Sequence, residues 1–208
     1  MTLAPRIRDE ARAMGMELSA EVSDKLAGHV LLVEKWNRVH NLTAVRGVDQ
    51  MVSLHVLDSL SLRPHLGDAM SVLDVGSGAG FPGMVLAIVD PQRALTLLDA
   101  SHKKCSFLEQ AKAELGLANV TVACERVQAW RPAHPFEAVV SRAFAELHDF
   151  VSQAGHLLAP GGRMLAMKGV YPYEEIGRMP PTHRVARVEE LHVPSLDAKR
   201  HVVAIEAA

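Results

Sequence analysis

The 208-residue sequence has no hydrophobic stretch able to cross a bilayer. Its longest unbroken apolar run is Met84–Val89, against the roughly 20 residues that a spanning helix requires. Arg6, Arg8, Asp9 and Glu10 interrupt the N-terminus before an apolar segment could form. No secretory signal is therefore predicted, and the cytoplasm is the expected compartment. Cysteine is scarce: Cys105 and Cys124 are the only two, and without a signal they read as free thiols rather than a bridge. A basic excess is also missing. The 22 Lys and Arg face 24 Asp and Glu, so composition gives no sign of a polyanionic partner held by counterion release. The 11 histidines are scattered without H-E-x-x-H or C-x-x-C spacing, and no metal site is predicted. No G-x-x-x-x-G-K-[ST] occurs, which removes P-loop nucleotide hydrolysis.

What is present is the balance of an ordinary globular chain, 49% hydrophobic and 22% charged, which excludes disorder. Leu3, Ile7, Ala11 and Met14 fall at helical spacing. Val22, Leu26, Val30 and Val33 form a second stripe behind Ser19, an N-cap candidate, and a third stretch runs from Val48 to Leu62, ended by Pro64. Residues 1–66 are therefore predicted to form a helical cap. From residue 67 to 208 short apolar runs alternate with helices. The runs are Val72–Val75, Leu95–Asp99, Val120–Ala123, Ala138–Ser141 and Arg163–Met167. The helices are Gly83–Val89, Ser101–Leu115 and Leu147–Leu158, the last closed by Pro160-Gly161-Gly162. This alternation predicts an α/β domain with a mostly parallel sheet. Val185–Leu191 and His201–Glu206 lack a crossover helix between them and are expected as antiparallel edge strands.

The most informative segment is Asp74-Val75-Gly76-Ser77-Gly78-Ala79-Gly80-Phe81-Pro82-Gly83, which leaves a strand and enters a helix. Glycines there let the backbone take positive φ and approach a ligand, although a tight turn without ligand uses the same residues. A dinucleotide fingerprint G-x-G-x-x-G fails from Gly76, because Phe81 takes the third glycine's place; from Gly78 it fits only late and with Pro82 inside. The spacing Asp74-x-Gly76-x-Gly78-x-Gly80 fits without gaps the loop of class I S-adenosylmethionine methyltransferases, which it resembles. Asp99, closing the second strand, can accept hydrogen bonds from ribose hydroxyls or can cap the helix that follows Ser101. Its pairing with the loop favours ribose.

Several ordered segments resemble the glucose-inhibited division protein B family, the guanine-N7 methyltransferases of small-subunit (16S) ribosomal RNA. They are Trp36-Asn37-x-x-x-Asn41-Leu42-Thr43, His55-x-x-Asp58-Ser59-Leu60, the glycine loop, Ser141-Arg142-Ala143-Phe144, Met167-Lys168-Gly169, Val193-Pro194-x-Leu196-Asp197 and Arg200-His201. The resemblance runs from Trp36 to the C-terminus. It implies a class I Rossmann-like fold, S-adenosylmethionine as cofactor with S-adenosylhomocysteine as product, and a monomer acting on ribosomal RNA within the small subunit. It also implies a cofactor site built from Asp74, Gly76, Ser77, Gly78, Gly80, Phe81, Asp99, Ala100, Ser101, Val127, Gln128 and Arg142. Arg126, Arg142 and Lys168, each at or just beyond a strand end, are the implied reaction-site cations.

The residues agree with that chemistry. The fourth strand ends in Ser141-Arg142-Ala143-Phe144 rather than Asn/Asp-Pro-Pro-aromatic, which disfavours exocyclic-amine methylation. Neither cysteine has the Pro-Cys context of a cytosine-C5 nucleophile. Guanine N7 carries its own lone pair, so its methylation requires positioning and no general base. A small-molecule or protein methyltransferase would instead present an enclosed apolar pocket, and a silent binding module would bind cofactor without turnover. His55 and Asp58, at i and i+3, are expected to join a helix to the sheet domain.

Overall fold

The computed structural model describes residues 3–142, 144 and 146–208; Ala143 of the Ser141–Phe144 motif lies outside the described residues. Helix α1 (Leu3–Ala13) buries Ile7 and Ala11, and α2 (Ala20–His40) starts where Ser19 Oγ accepts from Val22 N. The third helical stretch spans 48–61. It comprises α3 (Val48–Met51), a π turn (Val52–Leu57) and α4 (Asp58–Ser61). The stretch ends at Ser61, just ahead of Pro64. Pro64 sits within a further 3₁₀ turn, Arg63–Leu66, at a position where its missing N–H leaves no acceptor orphaned.

Seven strands then form one sheet in the order β3-β2-β1-β4-β5-β7-β6. They are β1 (Ser71–Val75), β2 (Ala94–Leu98), β3 (Val120–Ala123), β4 (Phe136–Ser141), β5 (Leu158–Lys168), β6 (His183–Leu191) and β7 (Arg200–Ala207). The pairs β1–β2, β1–β4, β2–β3 and β4–β5 are parallel, whereas β7 runs antiparallel to both β5 and β6. The connecting helices are α5 (Gly83–Val89), α6 (His102–Leu115) and α7 (Leu147–Ala154), with a short α8 (Tyr173–Gly177) that no apolar stripe announces.

Two corrections concern β5. The helix expected to reach Leu158 ends at Ala154 and passes through a 3₁₀ turn, Gly155–Leu157. Pro160-Gly161-Gly162 then lies inside the strand as an irregularity rather than before it, with Phe136 opposite Leu158 but Ala138 opposite Arg163. Gly161 takes φ +75°, and a Cβ on Gly162 would come within 2.8 Å of Glu137 O. Both positions therefore demand glycine.

The alternating strand faces divide the apolar residues. Val72, Leu95, Leu97, Ala138, Val140, Leu165 and Val202 share one cluster with Ile7, Leu26, Val30, Val56, Leu60 and Phe107, so the N-terminal helices and the sheet are continuous in packing. Leu73, Val75, Val139, Met164 and Val203 face the other way, under Leu147, Phe150 and Val151 of α7. Open parallel sheets present ligands at the carboxyl ends of their strands, where the order reverses. Here that place lies between β1 and β4.

Candidate functional site

The glycine loop leaves β1 at this point. Gly76 N and Ser77 N both donate to Leu98 O (2.8 and 3.1 Å), tying the loop to the end of β2. Gly76, Gly78 and Gly80 have φ of 73°, 59° and 85°, the left-handed region that glycine enters without strain. Asp74 is buried behind the loop. Its Oδ2 accepts from Gly83 N at 2.9 Å, and Ser77 Oγ donates to Asp74 O at 2.9 Å. Burial pushes the Asp74 carboxyl up to about 6, opposed by the Gly83 N–H. A Cβ at Gly80 would meet Met84 Cγ at 2.6 Å, so that glycine serves packing beneath the loop. A Cβ at Gly78 would meet only Gly76 O, at 3.8 Å, and would project into open space. The bare backbone at Gly78 thus forms a cradle.

Three adjoining cavities meet around this loop. The first, about 260 Å³, is lined by Gly76, Asp99, Ala100, Arg126, Val127, Gln128 and Phe144. Asp99 Oδ2 accepts from Gly78 N at 3.0 Å and Oδ1 from Ser101 N at 2.9 Å, with Lys104 Nζ 3.6 Å away. The carboxylate therefore faces the cleft and also receives a backbone N–H ahead of α6, and neither reading of it excludes the other. Ser101 itself makes no side-chain cap. Gln128 Nε2 donates to Gln153 Oε1 at 2.7 Å.

The second cavity, about 180 Å³, lies across the loop between Gly76, Ser77, Gly78, Phe81, Thr43, His55 and Arg142. The third, about 350 Å³, continues from His55 and Arg142 to Leu54, Asp58, Lys168, Gly169 and Arg200. Arg142 and His55 belong to both, and Gly76 to the first two. The structure thus brings Arg142 and Lys168 together. Arg126 stands apart from them, exposed on the first cavity. Asp74, Gly80 and Ser101 support the loop and line none of the three.

The third cavity is organised by the π turn. Asp58 N donates to Ser53 O and His55 O rather than to Leu54 O, its ordinary α-helical acceptor. Leu54 O is released, and Arg142 Nη1 donates to it at 3.1 Å. A π turn exposes backbone in this way, which accounts for its frequent place at functional sites. Asp58 contributes two ion pairs, with Arg142 Nη1 at 3.3 Å and Arg200 Nε at 3.2 Å, while its side chain is only 3% exposed. Burial raises the Asp58 carboxyl, and the two guanidiniums pull against that shift. Lys168 Nζ donates to Glu175 Oε2 at 2.7 Å, and the same oxygen accepts from Leu147 N at 2.8 Å. The Arg142 guanidinium also sits 5.6 Å over the Phe81 ring.

The helix-to-sheet contact expected of His55 and Asp58 is present, and it forms the wall of a cavity. His55 Nδ1 lies 3.0 Å from Leu54 O, which can only accept, so Nδ1 carries the proton and Nε2 accepts from Thr43 Oγ1 at 2.8 Å. Burial and the neighbouring Arg142 push His55 down to about 3, and its ring stacks on Phe81 at 4.6 Å. His55 is thus neutral with both nitrogens engaged. Neither thiol lines the three cavities; Cys105 Sγ donates to Asp99 O at 3.3 Å, and burial pushes it up to about 12. Among the described residues no group of three or more His, Cys, Asp or Glu could hold a metal, and no helix is long and apolar enough to cross a membrane.

Asp58, Arg200, Glu175 and Thr43 were not identified as site residues from the sequence. Asp58, Arg200 and Thr43 stand inside the family-like segments, which was the available signal; Glu175 had none.

A family model described as rRNA small subunit methyltransferase G matches residues 23–203. The chain is 51% identical over 197 residues to the Ribosomal RNA small subunit methyltransferase G of Aromatoleum aromaticum, covering 93% of each chain. It is 51% identical over 203 residues to the protein of that name from Laribacter hongkongensis, covering 98% of each. Among solved structures, a ribosomal protein L11 methylase from Lactobacillus delbrueckii subsp. bulgaricus superposes with a TM-score of 0.56 at 15% identity, over 78% of this chain and 80% of that one. The DhpI–SAH complex superposes with a TM-score of 0.58 at 17% identity, over 90% and 97%. These structures share the fold, that of the class I methyltransferases.

Proposed function

The chain belongs to the rRNA small subunit methyltransferase G family, and on that premise we propose that it methylates N7 of a guanine in small-subunit (16S) ribosomal RNA. The observation that carries the proposal is the junction at Arg142: a glycine-loop cleft opens directly into a cavity lined by two arginines and a lysine. The residues present fit S-adenosylmethionine. Asp99 offers a carboxylate to ribose hydroxyls, Val127 and Gln128 flank the adenine side, and the bare backbone from Gly76 to Gly78 accepts the amino-acid portion. When bound, this cofactor supplies an electrophilic methyl group on a sulfonium.

The protein's part is then positional. Arg142 stands where the two halves of the site meet, and its fork suits guanine O6 or a phosphate. Asp58 holds that fork in place, and Arg200 and Lys168 neutralise backbone phosphate. N7 needs no proton removed, and His55 and Asp58 are both already engaged, which matches a reaction driven by alignment. Positioning of this kind supplies on the order of 7–11 kcal/mol of a barrier. Residues 1–66 act as the helical layer that carries Thr43, His55 and Asp58 onto the domain formed by 67–208. The enzyme works in the cytoplasm as a monomer, on RNA within the small subunit.

The test offers methyl-labelled S-adenosylmethionine with unmethylated small subunits, naked small-subunit RNA and transfer RNA, followed by cleavage at 7-methylguanine. Label at one guanine of the small-subunit RNA is expected. Arg142→Ala should lose at least about a hundredfold in turnover while remaining folded, the scale of a lost site donor. Turnover close to wild type would remove Arg142 from the site. Label on protein or small molecules, with none on RNA, would overturn the substrate.

A further inference from the structure

Of the chain's two tyrosines, Tyr171 stands on the link between β5 and α8 and Tyr173 opens α8. They are displayed rather than buried: Tyr173 is 77% exposed and Tyr171 39%, beside Val170 at 76%. Phe81, Phe107, Phe136 and Phe150 all lie in the core. The exposed rings are nevertheless ordered. Tyr171 meets His201 edge-on at 5.7 Å, and Tyr173 lies against Tyr171 with centroids 4.2 Å apart and planes tilted by 35°.

His201 roots this ladder in the sheet. It is buried on β7, directly opposite Lys168 on β5. The ladder therefore begins beside Lys168, which with Gly169 lines the edge of the Arg142–Lys168–Arg200 cavity, and ends in the open face of Tyr173. Gly169, which lines that cavity, lies between Lys168 and the tyrosines, with Arg200 Nη1 3.8 Å from where its Cβ would be. The two nearby carboxylates do not close the platform: Glu175 is tied to Lys168, and Glu174 pairs with the exposed Arg178.

We propose that Tyr173, backed by Tyr171 and His201, is a stacking platform for the nucleobase adjoining the target guanine. This inference rests on the RNA methyltransferase reading above. A guanine brought into the cavity must leave its stack, so its neighbour loses a partner, and an aromatic face next to the cavity-lining Lys168 and Gly169 replaces it. Any base can stack on a ring, so the platform contributes affinity with little sequence preference. Cations for the intervening phosphates stand at Arg200 and Lys168.

The experiment compares wild type, Tyr173→Ala and Tyr173→Phe on unmethylated small ribosomal subunits. It measures KM for the subunit, kcat, and the Kd for S-adenosylmethionine. Tyr173→Ala should raise KM about tenfold, within the range for loss of one base–aromatic stack. The cofactor Kd should stay at the wild-type value, and Tyr173→Phe should retain the wild-type KM because the ring face is preserved. A wild-type KM in Tyr173→Ala would overturn the platform while leaving the RNA reading intact. So would a Phe variant as impaired as the Ala variant, which would assign the role to the hydroxyl. If wild type formed no 7-methylguanine in any RNA, the functional reading would fall first and take the platform with it.

Discussion

Replacing Asp74 by asparagine isolates the electrostatic cost of the glycine loop. Asp74 is 1% exposed; Oδ2 accepts from Gly83 N at 2.9 Å, and Oδ1 has no hydrogen-bond partner among the described residues. Burial raises the carboxyl from an ordinary value of 3.8 to about 6. Between those values the folded chain keeps a proton that the unfolded chain releases. The associated stability is complete below 3.8 and is lost as pH rises through about 6. At about 1.4 kcal/mol per pH unit, the ionised carboxylate costs the fold about 3 kcal/mol at neutral pH. Asparagine stays neutral, and its carbonyl can still accept from Gly83 N. Urea unfolding followed by tryptophan fluorescence should therefore show Asp74→Asn more stable than wild type at neutral pH, by up to about 3 kcal/mol. The advantage should shrink to nothing in acid. Parallel stability curves, or a variant less stable at neutral pH, would refute the reasoning, because the carboxylate would then be compensated.

Three further outcomes follow from the same geometry. Gly83→Ala would drive a Cβ into Leu97 and to 2.7 Å from Asp74 Oδ2, and urea unfolding should register a loss of about 1–3 kcal/mol from overpacking; an unchanged midpoint would refute it. Gly78→Asp, at φ 59° and with its N–H on Asp99, should abolish heat of S-adenosylmethionine binding in calorimetry, and near-wild-type affinity would sink the cofactor placement. Because His55 lies at about 3 and N7 needs no base, kcat should be flat across the physiological pH range. A titrating limb above the Asp74 value of about 6 would reveal an acid or base that the site description lacks.

The fold was legible where the sequence signal is local. Short apolar runs, the glycines of the loop and the Pro-containing link before β7 marked the strands, the loop and the antiparallel edge. Legibility failed where two structures demand the same residues. Pro160-Gly161-Gly162 satisfies a helix-closing turn or an irregular strand equally well, since both need positive φ and close backbone approach. The π turn at Val52–Leu57 was invisible for a related reason: over six residues its repeat does not displace the apolar positions enough to break a helical stripe. In the candidate site, Gly76, Gly78, Asp99 and Arg142 could be singled out from the sequence because each ends or follows a strand. Asp58 was not, because its meaning is its two arginine partners. One of them lies 84 residues away, and the other arrives only when β7 inserts beside β5.

That pairing also explains why composition gave no hint of a polyanionic substrate. The chain's net charge is −2, and the cations of the third cavity are held in advance by carboxylates: Arg142 and Arg200 by the buried Asp58, Lys168 by the part-buried Glu175. A free arginine or lysine carries about 2 kcal/mol of rotamer entropy that binding must remove. Fixing these side chains beforehand shifts that cost from substrate binding to folding. Two guanidiniums on one carboxylate still leave a local positive excess at the junction of the clefts. A site built this way gains affinity from preorganised donors at a few points rather than from a broad basic field. On the proposed reading, recognition of RNA through these residues would require neither a high isoelectric point nor a steep salt dependence.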